Sequence, residues 1–182
     1  MILIFTNFNH MKKYYPILLL ISILILASSC SDTNKEPYQI PDNAVDLIAG
    51  TSGKTWKIAK RHNDGTRMNM AGCFLSYRNT YFPDRTVKDN NDKQRDCGPS
   101  LKANWEIIQN KKGHYFIKLK SDQLPELMNI EKDYKFFQIT YLNKDSLELR
   151  YRHAQFSGQV RTIVDLYVEE NIFVPNRDFH NK

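Results

Sequence analysis

From Thr55 to Val168 apolar and polar residues alternate with a period of two, in short runs separated by turn signals. Trp56 and Ile58 alternate with Thr55, Lys57 and Ala59, and Asn63-Asp64-Gly65 closes the run with residues that accept positive φ. Phe74 to Phe82 is an aromatic-rich run ended by Pro83-Asp84, with Thr86-Val87-Lys88 as its return strand. Ala103, Trp105 and Ile107 share one face, and Tyr115, Ile117 and Leu119 share the next, across the loop Asn110 to Gly113. Phe137, Ile139 and Tyr141 continue the pattern, and Asn143-Lys144-Asp145 turns the chain into Leu147, Leu149 and Tyr151. Val160, Thr162, Val164, Leu166 and Val168 line one side of a last, long strand. The reading is seven or eight strands joined by short turns, without an internal helix long enough for a parallel crossover. Such a set forms an antiparallel up-and-down meander, and closure into a barrel of about eight strands hides its edges best.

Two stretches break the alternation. Asp42 to Ala49 is predicted as a short helix, with Asp42 as its N-cap, Val45 and Ile48 three apart and Gly50 as its stop. The loop Ser121 to Asp133 carries Leu124, Leu127, Met128 and Ile130 beside Pro125, a helical start that caps the core or forms a lid or partner surface. Asn171 to Lys182 is polar and reads as a loose tail. The strand region spans 50–169, and 170–182 follow it.

The N-terminal end has a different character. Lys12 and Lys13 precede the eleven-residue run Pro16 to Leu26, which is shorter than the roughly twenty residues of a membrane span and suits a secretory h-region. Met11 opens this segment and is an alternative start. Ala27-Ser28-Ser29-Cys30 then resembles the lipobox of bacterial lipoproteins, with Ala27 where that family usually has leucine. The resemblance implies cleavage after residue 29, acylation of Cys30 and attachment to the outer membrane of a Gram-negative bacterium, facing the periplasm or the surface. An uncleaved anchor helix is the alternative; both readings export the chain and tether it to a membrane. Residues 30–49 are then lipidated cysteine, tether and short helix. Asp32 and Glu36, just behind the anchor, are either a surface-export signal or part of a solvated linker.

Charge and cysteines narrow the classes further. The chain carries 26 Lys+Arg and 20 Asp+Glu, a net +6. Losing residues 1–29 removes two lysines and no acid, which leaves 153 residues at +4, a single-domain length. The basic residues are scattered and form no nucleic-acid footprint. With Cys30 assigned to lipid, Cys73 and Cys97 remain, and an oxidising compartment makes them one disulfide. Metal binding by the pair is the rival, and it lacks a C-x-x-C or a histidine at ligand spacing.

Further landmarks resemble the lipocalin-like domains of bacterial envelope lipoproteins. Gly50-Thr51-Ser52-Gly53-Lys54-Thr55-Trp56 is similar to that family's first strand, "G-x-x-x-K-x-W". Cys73 with Phe82-Pro83-Asp84-Arg85-Thr86 is similar to its hairpin, with Arg85 in place of a glycine. Cys97 followed by Trp105 is similar to its second cysteine and "G-x-W" strand, with Ala103-Asn104-Trp105 lacking the glycine. The resemblance covers Gly50 to Val168 and implies an antiparallel barrel bridged by Cys73 and Cys97. It implies little about function, since a fold hosts many activities.

The sequence carries no nucleophile elbow, zincin motif or phosphate-binding loop, so the expectation is a protein that is not an enzyme and needs no cofactor. His62, His114 and His153 fall on different strands without metal-ligand spacing, and Glu106, Glu148 and Asp165 read as solvated faces. Arg150 and Arg152 on one strand and Arg161 on the next are the candidate ligand clamp: facing inward they would hold a carboxylate or phosphate, facing outward they are a solvated surface. A one-residue register shift exchanges these outcomes. The functional expectation is a membrane-anchored binding module for a small apolar or amphipathic molecule. Its alternative is a structural or interaction lipoprotein with a solid barrel and an envelope-protein partner.

Overall fold

In a computed structural model, which describes residues 36–70, 72–154 and 158–179, the strands pair as a continuous antiparallel meander. They are β1 (Lys54–Asn63), β2 (Thr66–Arg67), β3 (Arg78–Tyr81), β4 (Thr86–Asp89), β5 (Lys102–Gln109), β6 (Tyr115–Lys120), β7 (Tyr134–Leu142), β8 (Ser146–Ala154) and β9 (Val160–Glu169). β1 also pairs with β9, so β1 and β3 to β9 close an eight-stranded barrel, while β2 is a two-residue flap on β1. Closure leaves none of these eight strands as a free edge, which is the physical reason a meander of this length curls. Pro37–Lys182 form one compact unit. The signal segment, the lipobox and Cys30 lie outside the described residues.

One end of the barrel is closed by helix α1 (Ala44–Ala49), which buries Ala44, Ile48 and Ala49. The Trp56 indole donates to the Ile48 carbonyl at 2.9 Å and the Lys54 ammonium to the Leu47 carbonyl at 3.0 Å, satisfying two carbonyls at the helix's C-terminal end. Gly50 stops the helix with φ of +62°; its N-cap is Asn43 rather than Asp42, and no side chain caps it. Above α1 the interior is packed by Trp56, Ile58, Trp105, Ile117, Ile139, Leu147 and Leu149, all nearly inaccessible to solvent. The Tyr81 and Trp105 rings meet edge to face at 5.4 Å.

Four sequence expectations need correction. Cys73–Ser76 is a short helix, α2, and only Arg78–Tyr81 of the expected Phe74–Phe82 strand pairs as strand. In β7 a register shift between Ile139 and Tyr141 turns Tyr141 out, 44 % exposed, and places Leu142 in the core. In β9 the inward face is Ile163, Asp165 and Tyr167, not the valine-rich face expected. The C-terminal tail is not loose through its described part. The Arg177 guanidinium donates to the carbonyls of Ile58, Leu75 and Phe74, and Asn69 bonds the Asp178 carboxylate at 2.9 Å. The loop 121–133 contains helix α3 (Leu124–Met128), whose Leu124 is fully buried in the core.

Candidate functional site

The end of the barrel opposite α1 is built from polar groups. β1 would point Lys60 inward if its alternation ran unbroken, but a bulge between Ile58 and Lys60 shifts the parity and brings Arg61 inside. There it meets Asp165 of β9, which has no solvent exposure at all. The guanidinium grips the carboxylate through two parallel bonds, Nε to Oδ1 and Nη2 to Oδ2, both 2.6 Å. The Tyr151 hydroxyl of β8 donates to Asp165 Oδ2 at 3.0 Å and accepts from Arg61 Nη2 at 3.1 Å. The Tyr167 hydroxyl lies 3.4 Å from the same oxygen. Burial works against the Arg61 charge, and the Asp165 bonds outweigh it, so the guanidinium is held more firmly protonated than usual. Burial, and then the Asp165 charge, push the phenols of Tyr151 and Tyr167 up, so both remain hydrogen-bond donors.

Lys135 of β7 shares this end. Its side chain alternates inward with Phe137 and Ile139, and only 8 % of the residue is exposed. The ammonium touches His153 Nδ1 at 3.2 Å and lies 5.5 Å from the Tyr151 ring centroid. Among the described residues no carboxylate reaches it within ion-pair distance. Burial therefore lowers its pKa, since among the described residues no counter-charge offsets it. His153 is lowered too, first by burial and then by the Lys135 and Arg61 charges. Asp165 thus compensates Arg61, while among the described residues no carboxylate pairs with Lys135.

The walls around this cluster are aromatic. Phe137 and Tyr151 pack with ring centroids 4.8 Å apart. Phe74 of α2 lays its ring 4.4 Å from the Arg61 guanidinium and is 39 % exposed. That helix is fixed by the Cys73–Cys97 disulfide at one end and by Arg177 at the other. Tyr77 follows it and is half-buried, its phenol raised by burial and by the nearby Asp89. Asp89 ends β4 and accepts from the Asn91 amide at 3.2 Å. In β3 the buried Asn79 leaves its Oδ1 without a partner among the described residues, although buried polar groups are normally bonded.

The residues singled out in the sequence fall elsewhere. Arg150 and Arg152 are exposed on the outer wall, and Arg161 is held outside by Asp64 at 2.8 Å and Gln159 at 2.6 Å. They do not form an interior clamp, because Leu147, Leu149 and Tyr151 take the inward positions of β8. Asp165, read as solvated, is the most buried acid of the site. Of the histidines, His153 joins the cluster, while His114 bonds Gln138 at 3.2 Å and His62 sits opposite Val164 and Arg67 in the sheet. Among the described residues no group of three or more His, Cys, Asp and Glu side chains converges on a metal position.

No protein-family model matches the sequence, and no curated protein matches it. Among solved structures, a lipocalin-like protein from Bacteroides uniformis is similar at 11% identity and a TM-score of 0.42, covering 67% of this chain and 97% of its own. Bovine odorant-binding protein, solved in complex with a selenium-containing odorant, is similar at 11% identity and a TM-score of 0.38, covering 79% of this chain and 82% of its own.

Proposed function

We propose that this chain is a membrane-tethered, non-enzymatic binding barrel that takes a small amphipathic anion at its Lys135 end. The observation that carries the reading is the buried ammonium of Lys135, which has an imidazole and an aromatic face for neighbours and, among the described residues, no carboxylate within ion-pair distance. A buried cation without a counter-charge is costly, and a carboxylate or phosphate head placed against it removes that cost. Phe137, Tyr151 and Phe74 supply the apolar wall that the rest of an amphipathic molecule needs. Since Trp56, Trp105 and the aliphatic residues fill the α1 end, the ligand seats near the polar end rather than deep in the barrel.

The test is calorimetric titration of the full chain, in neutral detergent, with octanoate and with uncharged 1-octanol. Octanoate is expected to bind more tightly than octanol, and Lys135→Met to weaken octanoate by at least about tenfold, or 1.4 kcal/mol, while leaving octanol unchanged. Octanoate affinity should also fall as pH rises through the lowered pKa of Lys135, since the neutral amine no longer attracts the head group. Equal binding of both probes, insensitive to Lys135→Met, would sink the proposal.

The tether rests on Cys30 and its lipobox-like context. Cys30→Ser is expected to release the protein from washed membranes into the soluble fraction. If the variant sediments with membranes as wild type does, acylation is not what holds it. A second reading, a solid barrel working through its surface, is favoured by one observation: the outer wall of β4 to β6 carries concavities of its own.

A further inference from the structure

The outer faces of β4, β5 and β6 place cations together in a way the interior site does not explain. Lys88 of β4 and Lys102 of β5 are direct cross-strand partners, and Asn104 is partnered by Thr86 on one side and Lys120 on the other. Directly opposed side chains on one sheet face have Cβ atoms roughly 5 Å apart, and diagonal neighbours such as Lys102 and Lys120 lie roughly 7–8 Å apart. Like charges in these positions repel. Among the described residues, no carboxylate comes within ion-pair distance of Lys88, Lys102 or Arg85, whereas Lys118 and Lys120 each have one.

These cations line a concavity rather than a convex wall. A groove of about 590 Å³ runs over Phe82, Lys88, Lys102, Asn104, Lys120 and Asp122. A second concavity of about 290 Å³, which shares Asn104 and Lys120, continues it past Arg85. Together their linings carry five cations (Arg85, Lys88, Lys102, Lys118, Lys120) against two acids, Glu106 and Asp122. Aromatic rings hold two of the cations: Arg85 lies 4.8 Å from the Trp105 ring centroid, and Lys88 lies 5.2 Å from that of Phe82. Arg85 keeps this place at φ of +70°, a left-handed conformation that favours glycine.

We infer that this outer groove is a second binding site, for a small soluble molecule carrying two neighbouring phosphate-type oxyanions. One oxyanion sits between Lys88 and Lys102, and the second lies toward Lys120, with the Asn104 amide as a hydrogen-bond donor between them. Anion binding removes the repulsion between the opposed lysines, so the unligated groove is electrostatically poised for it. A volume near 590 Å³ suits a small molecule. A flat anionic bilayer meets a concave site poorly, which is why a solute is favoured over a membrane surface.

Inorganic pyrophosphate is the probe, titrated calorimetrically into the full chain in neutral detergent at low salt. Binding is expected to weaken with added salt, and Lys88→Gln with Lys102→Gln is expected to weaken it at least tenfold. Lys111→Gln, an exposed lysine outside the groove, should leave it unchanged. Thermal melts without ligand provide the control for folding. The double variant should melt no lower than wild type, because it removes a repulsion, and pyrophosphate should raise the melting temperature of wild type alone. Absence of pyrophosphate binding, or binding that the double variant leaves intact, overturns the inference. So does a lysine-dependent response only to micelles doped with anionic lipid, which would make this face a membrane contact.

Discussion

Asp165→Asn is expected to destabilise the barrel by about 3–5 kcal/mol, the penalty for leaving one member of a buried ion pair alone. Asp165 is wholly inaccessible and accepts from Arg61 twice, from Tyr151 and, more distantly, from Tyr167. The amide keeps the shape but cannot compensate the guanidinium, and its NH2 faces donors instead of accepting from them. The charge of Arg61 cannot be shed, because guanidinium does not deprotonate in proteins. The measurement is the denaturant midpoint of the variant at constant m. A double variant, Arg61→Met with Asp165→Leu, separates the pair's net worth from the penalty of breaking it. Replacing both charges with apolar groups of similar volume is often close to neutral, so the double variant should recover most of the loss. A single variant as stable as wild type would mean that water, not Asp165, solvates Arg61.

The second large effect concerns the disulfide. Cys73 opens α2 and Cys97 lies in the loop between β4 and β5, 24 positions apart in sequence. Closing a loop of that length stabilises by about 3 kcal/mol on chain-entropy grounds. Cys73→Ser with Cys97→Ser should lower stability by about that amount. The loss should be concentrated in α2 and the 90–100 loop, because β1 to β9 pair independently of the bridge. Hydrogen exchange under native conditions distinguishes the two places: the amides of Leu75 and Tyr77, bonded to the carbonyls of Gly72 and Cys73, should lose protection while those of β8 and β9 keep it. Phe74, which rests on Arg61, goes with α2, so the variant should also bind octanoate with altered kinetics. Uniform loss of protection across the barrel would place the bridge in the cooperative core instead.

The strand order, the closure and the disulfide were legible in the chain because they depend on local alternation, turn residues and the parity of cysteines. The inward residues of β5, β6 and β8 follow directly from that alternation: Trp105, Ile117 and Leu149 are all buried. The polar end was not legible, for two physical reasons. Bulges at Ile58/Lys60 and Ile139/Tyr141 change parity within a strand, and no local residue pattern announces them. An unbroken alternation would turn Arg61 outward and Tyr141 inward. β9 is apolar on both faces, Val164 and Leu166 against Ile163 and Tyr167, so the acid at Asp165 made the wrong face look like the core. Its partner Arg61 lies about a hundred residues earlier and belongs to a strand that meets β9 only through closure. The signal available was the pairing itself: β8 fixes Tyr151 inward and opposite Ile163, which carries Asp165 inward two residues on. The α2 segment misled for a related reason. Phe74 to Phe82 has strand-like composition, but Gly72, at φ of +53°, and the bridge at Cys73 set the backbone there.

Lys135 carries the proposed function, and among the described residues no carboxylate lies within ion-pair distance of its ammonium. The most direct measurement is native mass spectrometry of the full chain purified from its own membranes in a gentle, neutral detergent. The account predicts a defined extra mass that leaves on collisional activation, has the composition of an amphipathic anion, and is absent from Lys135→Met. A bare polypeptide mass from wild type, repeated across preparations that retain a folded barrel, would contradict it. So would an extra mass that the Lys135 variant retains.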